Sequence, residues 1–186
     1  MADHRRALAR AAWRTLSSRA VYANPWIRLR EDLAEMPDGR TTIYGVLECK
    51  PAVGVLPFLD AGTVVLVGQY RYVAREFLWE MPTGAVRPEE TEEAAVQREL
   101  AEEAGYVAER LRKLCAFHSS KSVVDETAHI YVAEGLRPAA RAGDDTEFIE
   151  VRAFPFDDVL AMVERSEIKD AMTVVAVLHA ALHRRP

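Results

Sequence analysis

The sequence predicts an α/β protein in which helices cover both sides of a mixed β-sheet. Apolar runs typical of strands fill most of the chain up to about residue 155. A strongly charged helical pattern interrupts them at residues 92–104, and two more helical patterns follow the last strand. The chain has 186 residues, 49% hydrophobic and 28% charged, which is enough for one buried core.

Strand-like runs lead up to the charged helix. WIRLREDLAEM alternates between apolar and polar residues, and TTIYGVLE follows it across the turn PDGR, so the two predict a hairpin. AVGVLPFL and TVVLVGQY flank the turn DAG and are apolar enough for central strands. EFLWEMPTG is predicted as a short extended segment that leads into the helix.

After the charged helix the pattern returns to strands and ends in helices. LRKLCAFHS, TAHIYVAEG and FIEVRAFPF are strand-like, and FDDVLAMVERS and AMTVVAVLHAALHRR have helical periodicity. The polar linker at residues 135–147 is predicted as a loop. We predict an N-terminal extension at residues 1–24 and a single domain at residues 25–186.

The composition excludes several classes of protein. A net charge of −5 argues against a nucleic-acid binder that uses a broad basic surface. No apolar run is long enough for a membrane span. Cys49 and Cys115 lie far apart without metal-ligand spacing, and are predicted as buried core thiols. The Arg- and Ala-rich residues 1–19 have the composition of a targeting segment, but Asp3 and the lack of a cleavage signal favour an extension of a cytoplasmic protein.

The charged helix carries negative charge at the end where it is unfavourable. Thr91 is predicted as its N-cap and Gly105 as the glycine that ends it. Near the C-terminus the helix dipole opposes Glu102 and Glu103 by about 0.3–1 kcal/mol each. Glu99 and Glu103 also form a like-charge pair four residues apart, which costs about 0.2–0.5 kcal/mol.

On an ideal helix, Glu92, Glu99 and Glu103 fall within an arc of roughly 40°, with Glu102 at its margin. A solvated acidic face is one explanation of this cluster. A hard divalent cation is the alternative that we favour, because Mg²⁺ binds carboxylate oxygens and commonly shares its coordination sphere with phosphate. Arg98 is the only cation within the helix pattern.

The stretch GAVRPEETEEAAVQRELAEEAGY, residues 84–106, resembles the Nudix box. The spacing is Gly, five residues, Glu, seven residues, then Arg-Glu-aliphatic-any-Glu-Glu-any-Gly-aliphatic. The positions that match are Gly84, Glu90, Arg98, Glu99, Leu100, Glu102, Glu103 and Gly105. Tyr106 departs from the pattern, because it is aromatic where an aliphatic residue is usual.

The resemblance implies the Nudix fold, an α/β/α sandwich around a mixed sheet, and hydrolysis that depends on Mg²⁺ or Mn²⁺. The substrate it implies is a nucleoside diphosphate linked to another moiety. It also implies metal ligands at Glu99 and Glu103, with help from Glu102 and the Thr83 carbonyl. Glu102 and Glu103 are thereby also candidate catalytic residues.

Four box residues receive supporting roles by the same resemblance. Glu90 and Arg98 are expected to form an ion pair that orients the metal ligands. Gly84 and Gly105 are expected to support the backbone of the box.

Outside the box, VGQYRY, WEMPTG and SEIKDAMTVVAVL are similar to the ADP-ribose pyrophosphatase group of this family, over roughly residues 25–182. That resemblance implies hydrolysis of ADP-ribose to AMP and ribose 5-phosphate, and a homodimer. It points to Glu147 as the general base, with Glu150 as an alternative. Arg71, Arg28 and Lys121 are candidate substrate-binding cations, although a strand-end arginine such as Arg71 can also be a surface residue.

One departure leaves the substrate open. ADP-ribose-selective members often carry a Ser-Pro-Gly loop after the box, whereas the corresponding run here, HSSKSVVDE, has no proline. Hydrolysis of GDP-mannose or a UDP-sugar is therefore the close alternative. A domain that senses ADP-ribose or a related nucleotide without hydrolysing it is the alternative from another class. Such domains usually lose the box carboxylates that this chain keeps.

Overall fold

The computed structural model describes residues 6–7, 9–140 and 148–183. They divide into two compact units, residues up to 50 with 118–126, and residues 51–117 with those from 127 onward. The strands are β1 (Arg14–Ala23), β2 (Arg28–Glu35), β3 (Thr41–Glu48), β4 (Ala52–Pro57), β5 (Thr63–Arg71), β6 (Glu76–Glu80), β7 (Thr83–Ala85), β8 (Tyr106–Ser120), β9 (Val124–Pro138) and β10 (Glu150–Pro155). The helices are α1 (Glu92–Glu99), which continues as a π-helical turn (Leu100–Ala104), α2 (Phe156–Glu164) and α3 (Ala171–His183).

The first unit is built on antiparallel strands. β2 and β3 form the predicted hairpin, and Gly39 takes a positive φ of 86° in its turn. β1 pairs with β2 and was not predicted, because it lies within the expected N-terminal extension. Leu47 and Glu48 of β3 pair in parallel with the first residues of β9.

The second unit confirms the predicted mixed sheet. β4 runs parallel to β9 and antiparallel to β7. β5 pairs with β6 and β10 in a separate antiparallel sheet. β4 and β5 therefore lie in different sheets, and across the turn DAG the chain is joined by an isolated bridge between Phe58 and Val64 and by a hydrogen bond from Leu59 N to the Thr63 carbonyl at 2.9 Å.

Alternating residues of the central strands bury two apolar clusters in the second unit. Leu56, Leu66 and Ile130 pack in the cluster that includes residues of α2 and α3. Val53 and Val65 pack in the cluster that includes residues of α1 and the π-helical turn. Because side chains alternate between the two faces of a strand, α1 covers one side of the strands while α2 and α3 cover the other. This is the predicted layering of helix, sheet and helix.

Two further expectations concern the cysteines and the membrane. Cys49 and Cys115 are free and only partly buried, so the prediction of buried core thiols overstated their burial, although Cys115 packs against the cluster that includes residues of α2 and α3. Burial nevertheless raises the pKa of both thiols. Within the described ranges, no helix has the length and apolarity needed to cross a membrane. The single domain expected at residues 25–186 stays a prediction.

Candidate functional site

Residues 81–84 of the second unit connect β6 to the start of the charged segment. Thr83 pairs with Gly54 in the β4–β7 ladder. Val55 N donates to the Pro82 carbonyl at 3.0 Å, and Thr83 N donates to Glu103 Oε2 at the same distance. β4 and the π-helical turn therefore both hold this segment.

Helix α1 begins and ends as its sequence predicts. Thr91 is the N-cap, and its hydroxyl accepts a hydrogen bond from Ala94 N at 3.2 Å. Gly105 ends the π-helical turn with a φ of 75°, in the left-handed conformation that favours glycine. The π-helical winding was not predicted. Single π-helical turns within α-helices are frequently found at functional sites.

Glu103 is the most buried of the box carboxylates. Only 4% of the residue is exposed, and it lies beside the buried Leu100 and Ala104. A charged carboxylate in such a place needs hydrogen-bond partners. The amide of Thr83 supplies one of them.

Glu99 lies directly against Gly84. A Cβ built on Gly84 would stand 1.9 Å from Glu99 Oε1, far inside van der Waals contact. Only glycine leaves room for the Glu99 carboxylate at this point. The requirement for glycine is therefore one of space, because Gly84 has no positive φ.

Arg98 connects the carboxylates of the box. Its guanidinium donates to Glu90 Oε1 at 2.9 Å and Oε2 at 3.0 Å, to Glu99 Oε1 at 2.5 Å and to Glu102 Oε2 at 3.1 Å. It also donates to the Ala85 carbonyl at 3.0 Å. The expected ion pair between Arg98 and Glu90 is therefore present, and Arg98 also contacts two of the predicted metal ligands.

This network shifts the proton equilibria of its members. The hydrogen bond from Arg98, although opposed by burial, lowers the pKa of Glu90 to about 2, and Arg87 N also donates to Glu90 at 3.0 Å. The carboxylates, Glu90 first, raise the pKa of Arg98. Glu90 and Arg98 are therefore ionised together over the whole physiological range.

Glu92, which helix geometry places on the same face as Glu99 and Glu103, contacts residues of β8 and β9. Its carboxylate accepts hydrogen bonds from Lys113 Nζ at 2.5 Å and from Tyr131 Oη at 2.7 Å, and it lies 3.2 Å from His129 Nδ1. Glu92 therefore ties the first turn of α1 to β8 and β9. It is not part of the network around Arg98.

The carboxylate cluster is also better compensated than the helix sequence suggested. Arg98 contacts Glu90, Glu99 and Glu102 at once, and Arg87 Nη2 from outside the helix lies 3.5 Å from Glu102 Oε1. Like charges at the wrong end of the helix are thus partly neutralised within the protein.

The donor set fits a divalent cation in its chemistry. Glu99, Glu102 and Glu103 present carboxylate oxygens, with Glu103 bound to Thr83 N and Glu99 against Gly84, and hard cations such as Mg²⁺ and Ca²⁺ prefer such ligands. Over the ranges that the structure describes, however, no three His, Cys, Asp or Glu side chains converge at metal-binding spacing. The guanidinium of Arg98 instead forms ion pairs with Glu99 and Glu102.

Arg71 borders a cavity of 390 Å³ that is also lined by Glu80, Thr83 and Asp170. Its guanidinium donates to both oxygens of Glu80, at 2.7 and 2.9 Å. Glu80 is only 3% exposed, so Arg71 holds a buried counter-charge at the wall of the cavity. This arrangement differs from a surface arginine at a strand end.

The remaining predicted site residues belong to the first unit, to β10 or to a segment outside the described residues. Arg28 and Lys121 belong to the first unit, where Arg28 Nε lies 3.5 Å from Glu48 and Lys121 lines a cavity of 280 Å³. Glu147 lies outside the described residues. Glu150 begins β10 and pairs with Gly68 of β5.

Three polar residues near the box were missed from the sequence: Glu80, Asp170 and Thr173. Thr173 is fully buried within the apolar pattern of α3, and its N–H donates to Asp170 Oδ2 at 2.7 Å. An aspartate placed three residues before a threonine at a helix start is a recognisable capping pattern. That signal could have identified this pair.

Comparisons with known proteins agree with the predicted fold class and family. Residues 49–173 match the family model described as the NUDIX domain, and residues 13–47 match the one described as the nucleoside diphosphate sugar hydrolase N-terminal domain. The first match covers more than half of the chain. The chain therefore belongs to the Nudix family, and it is a Nudix hydrolase.

Two relatives and one solved structure are similar to this chain over two thirds of its length or more. ADP-ribose pyrophosphatase of Bacillus subtilis (strain 168) is 32% identical over 171 residues, 91% of this chain and 92% of that protein. GDP-mannose pyrophosphatase of Yersinia pestis (strain Pestoides F) is 35% identical over 134 residues, 67% of each. The crystal structure of an ADP compounds hydrolase also aligns with this chain, over 93% of this chain and 94% of the other. The TM-score is 0.83 and the sequences are 22% identical. That likeness confirms the fold class.

Proposed function

We propose that this Nudix hydrolase cleaves the diphosphate of ADP-ribose and releases AMP and ribose 5-phosphate. The observation that carries the proposal is the hydrogen bond from Thr83 N to the buried Glu103. Thr83 also lines a cavity with Arg71, and Arg98 holds the neighbouring box carboxylates Glu99 and Glu102. A relative named ADP-ribose pyrophosphatase, aligned over 91% of the chain, supports the choice of substrate.

Glu99, Glu102 and Glu103, with the Thr83 carbonyl, are the residues that would hold Mg²⁺ or Mn²⁺. When bound, such an ion neutralises phosphate charge and lowers the pKa of a water molecule. The chain's own part is to keep these oxygens ionised and in place. Arg98 and Glu90 orient Glu99 and Glu102, and Gly84 leaves space for Glu99.

Further residues are proposed to activate the attacking water or to bind the substrate. Glu147 is proposed as the general base that takes a proton from the attacking water, with Glu150 as the alternative. Arg71 is proposed as the phosphate-binding cation of the second unit, since it lines the same cavity as Thr83. Arg28 and Lys121 are proposed as further substrate contacts.

Hydrolysis of GDP-mannose or a UDP-sugar is the second candidate function. The run HSSKSVVDE lacks the proline of ADP-ribose-selective loops, and a relative named GDP-mannose pyrophosphatase shares 35% identity. Both reactions break the same kind of bond. A sensor without hydrolysis is disfavoured, because Glu99, Glu102 and Glu103 are all retained.

A homodimer in the cytoplasm completes the proposal. Every residue of β1 is exposed, including Leu16, Val21 and Tyr22. An exposed strand that carries such apolar side chains can pair with another chain, and we propose a second copy of this chain as the partner. The free cysteines fit a reducing compartment. Sedimentation equilibrium should give twice the monomer mass, and a monomer mass at micromolar concentration would contradict the dimer.

A substrate panel tests the proposed reaction. The protein is incubated with ADP-ribose, GDP-mannose, UDP-glucose, NADH or a diadenosine polyphosphate, with Mg²⁺ or with a chelator, and the nucleotide products are separated. We expect the highest kcat/KM for ADP-ribose, with AMP as the nucleotide product and no turnover in chelator. A higher value for GDP-mannose would select the second candidate. Turnover of none of these substrates would overturn the proposal.

A further inference from the structure

Thr173 of helix α3 connects that helix to the segment before the Nudix box. Met81 N donates to Thr173 Oγ1 at 3.0 Å, and both residues are fully buried. Thr173 Oγ1 in turn donates to Asp170 Oδ2 at 2.6 Å, because an ionised carboxylate can only accept. The hydroxyl therefore has its proton directed to Asp170 and a lone pair directed to Met81.

This chain of hydrogen bonds has few alternatives. A hydroxyl in an apolar core is costly unless it is hydrogen-bonded, and so is a buried backbone N–H. The Asp170 carboxylate also accepts from Thr173 N at 2.7 Å, which fixes it at the start of α3. Charge-assisted bonds of this kind are the stronger ones. Removal of the hydroxyl would leave Met81 N without its acceptor in the core.

The segment from Met81 to Thr83 is thus held at three successive positions by three different elements. α3 holds Met81 N through Thr173, β4 holds the Pro82 carbonyl, and the π-helical turn holds Thr83 N through Glu103. The Met81 side chain adds packing, since a Cβ on Gly54 would stand 2.3 Å from its terminal methyl group. Movement at Met81 would be transmitted to Thr83 two residues later.

We infer that Thr173, fixed by Asp170, is a positioning residue that keeps Thr83 in register with Glu103, and so sets the affinity of the site for a divalent cation. The inference rests on the proposed function, because that function assigns the cation to Thr83 and the box carboxylates. Residues that orient metal ligands typically change metal affinity or activity 10- to 100-fold when they are mutated.

The test uses three variants of the full chain. Thr173→Val removes the hydroxyl at nearly constant shape, and Thr173→Ser restores it. Val177→Ala is the matched control, because Val177 is fully buried on the same helix and packs in the apolar cluster. For each variant we would measure the Mn²⁺ dissociation constant by electron paramagnetic resonance, the exchange rate of the Thr83 amide, Tm, and kcat and KM for ADP-ribose.

We expect Thr173→Val to weaken Mn²⁺ binding by about tenfold and to speed exchange of the Thr83 amide, with a lower kcat. Thr173→Ser should return these values to within about threefold of wild type. Val177→Ala should lower Tm comparably but leave Mn²⁺ affinity and Thr83 exchange near wild type. The inference is overturned if Thr173→Val matches Val177→Ala in both Mn²⁺ affinity and Thr83 amide exchange. It is also overturned if the wild type binds no Mn²⁺. If the wild type binds Mn²⁺ but releases no AMP, the proposed reaction fails, while binding and exchange still decide the role of Thr173.

Discussion

Glu103 and Thr83 are joined by a hydrogen bond from Thr83 N to Glu103 Oε2 at 3.0 Å, although they lie 20 residues apart in sequence. Glu103 is nearly fully buried in the last turn of a helix, where the dipole disfavours negative charge. The amide of Thr83 offsets part of that cost. The bond also brings the backbone of Thr83 beside the Glu103 carboxylate.

Gly84→Ala should displace Glu99 and nearly abolish activity. The new methyl group would stand 1.9 Å from Glu99 Oε1, so the carboxylate must move away from its position against residue 84. We expect kcat to fall by about 100-fold, the upper end of the range for residues that position metal ligands. Steady-state kinetics with ADP-ribose measure this effect.

Gly45→Ala is the control for the glycine substitution. A Cβ at Gly45 in β3 meets nothing within 4 Å, and Gly45 has no positive φ. We expect wild-type kinetics from this variant. Equal kcat values for the two variants would show that the position of Glu99 does not depend on Gly84.

Arg98→Lys should destabilise the protein by about 1–3 kcal/mol, the range for lost hydrogen bonds between charged groups. A lysine cannot reproduce the planar contacts to Glu90, Glu99 and Glu102 and to the Ala85 carbonyl. Urea unfolding measures the difference. Arg165→Lys is the matched control, since its pair with Glu167 is exposed and should contribute little. If Arg98→Lys lowers the free energy of unfolding no more than Arg165→Lys does, the guanidinium network does not stabilise the protein.

The stability of the protein should fall in acid partly through Glu90. Its folded-state pKa of about 2 lies below the value of 4.5 expected for an unperturbed glutamate, because Arg98 binds the ionised form. Its contribution is therefore fully present above pH 4.5 and is lost as the pH falls toward 2. Glu90→Gln should flatten the decline of the unfolding free energy between these pH values. An unchanged slope in urea titrations of the variant would contradict the low pKa.

Arg71→Lys should raise KM for ADP-ribose about tenfold with a smaller change in kcat. The lysine keeps a positive charge beside buried Glu80 but loses the two-pronged geometry that suits phosphate. Arg112→Lys is the control, because Arg112 lines a different cavity. If KM stays at the wild-type value in Arg71→Lys, Arg71 serves to pair Glu80 and not to bind substrate.

Much of the site could be read from local sequence. The N-cap at Thr91, the terminating glycine at Gly105 and the ion pair between Arg98 and Glu90 depend on short spacing along one helix, and the structure has all three. The fold class followed equally from local apolar patterns, because each central strand of the second unit places alternate residues in two cores.

Long-range contacts and changes of helical winding were harder to predict. Glu92 and Glu99 lie seven residues apart in the regular part of α1, about 10.5 Å along its axis, and the π-helical turn changes the 100° spacing only beyond Glu99. Lys113 and Tyr131, which bind Glu92, come from strands more than 20 residues later in the chain. Strand β1 was missed because exposed residues along its whole length give no alternating pattern.

Comparing wild type with Glu103→Gln tests the central claim most directly. Glutamine keeps an oxygen that can accept the hydrogen bond from Thr83 N, but it removes the negative charge. With Mg²⁺ and saturating ADP-ribose, the wild type should release AMP, and the variant should turn over at least about 1000-fold more slowly with a similar Tm. Release of AMP by Glu103→Gln at a near-normal rate would show that the buried carboxylate takes no part in the reaction.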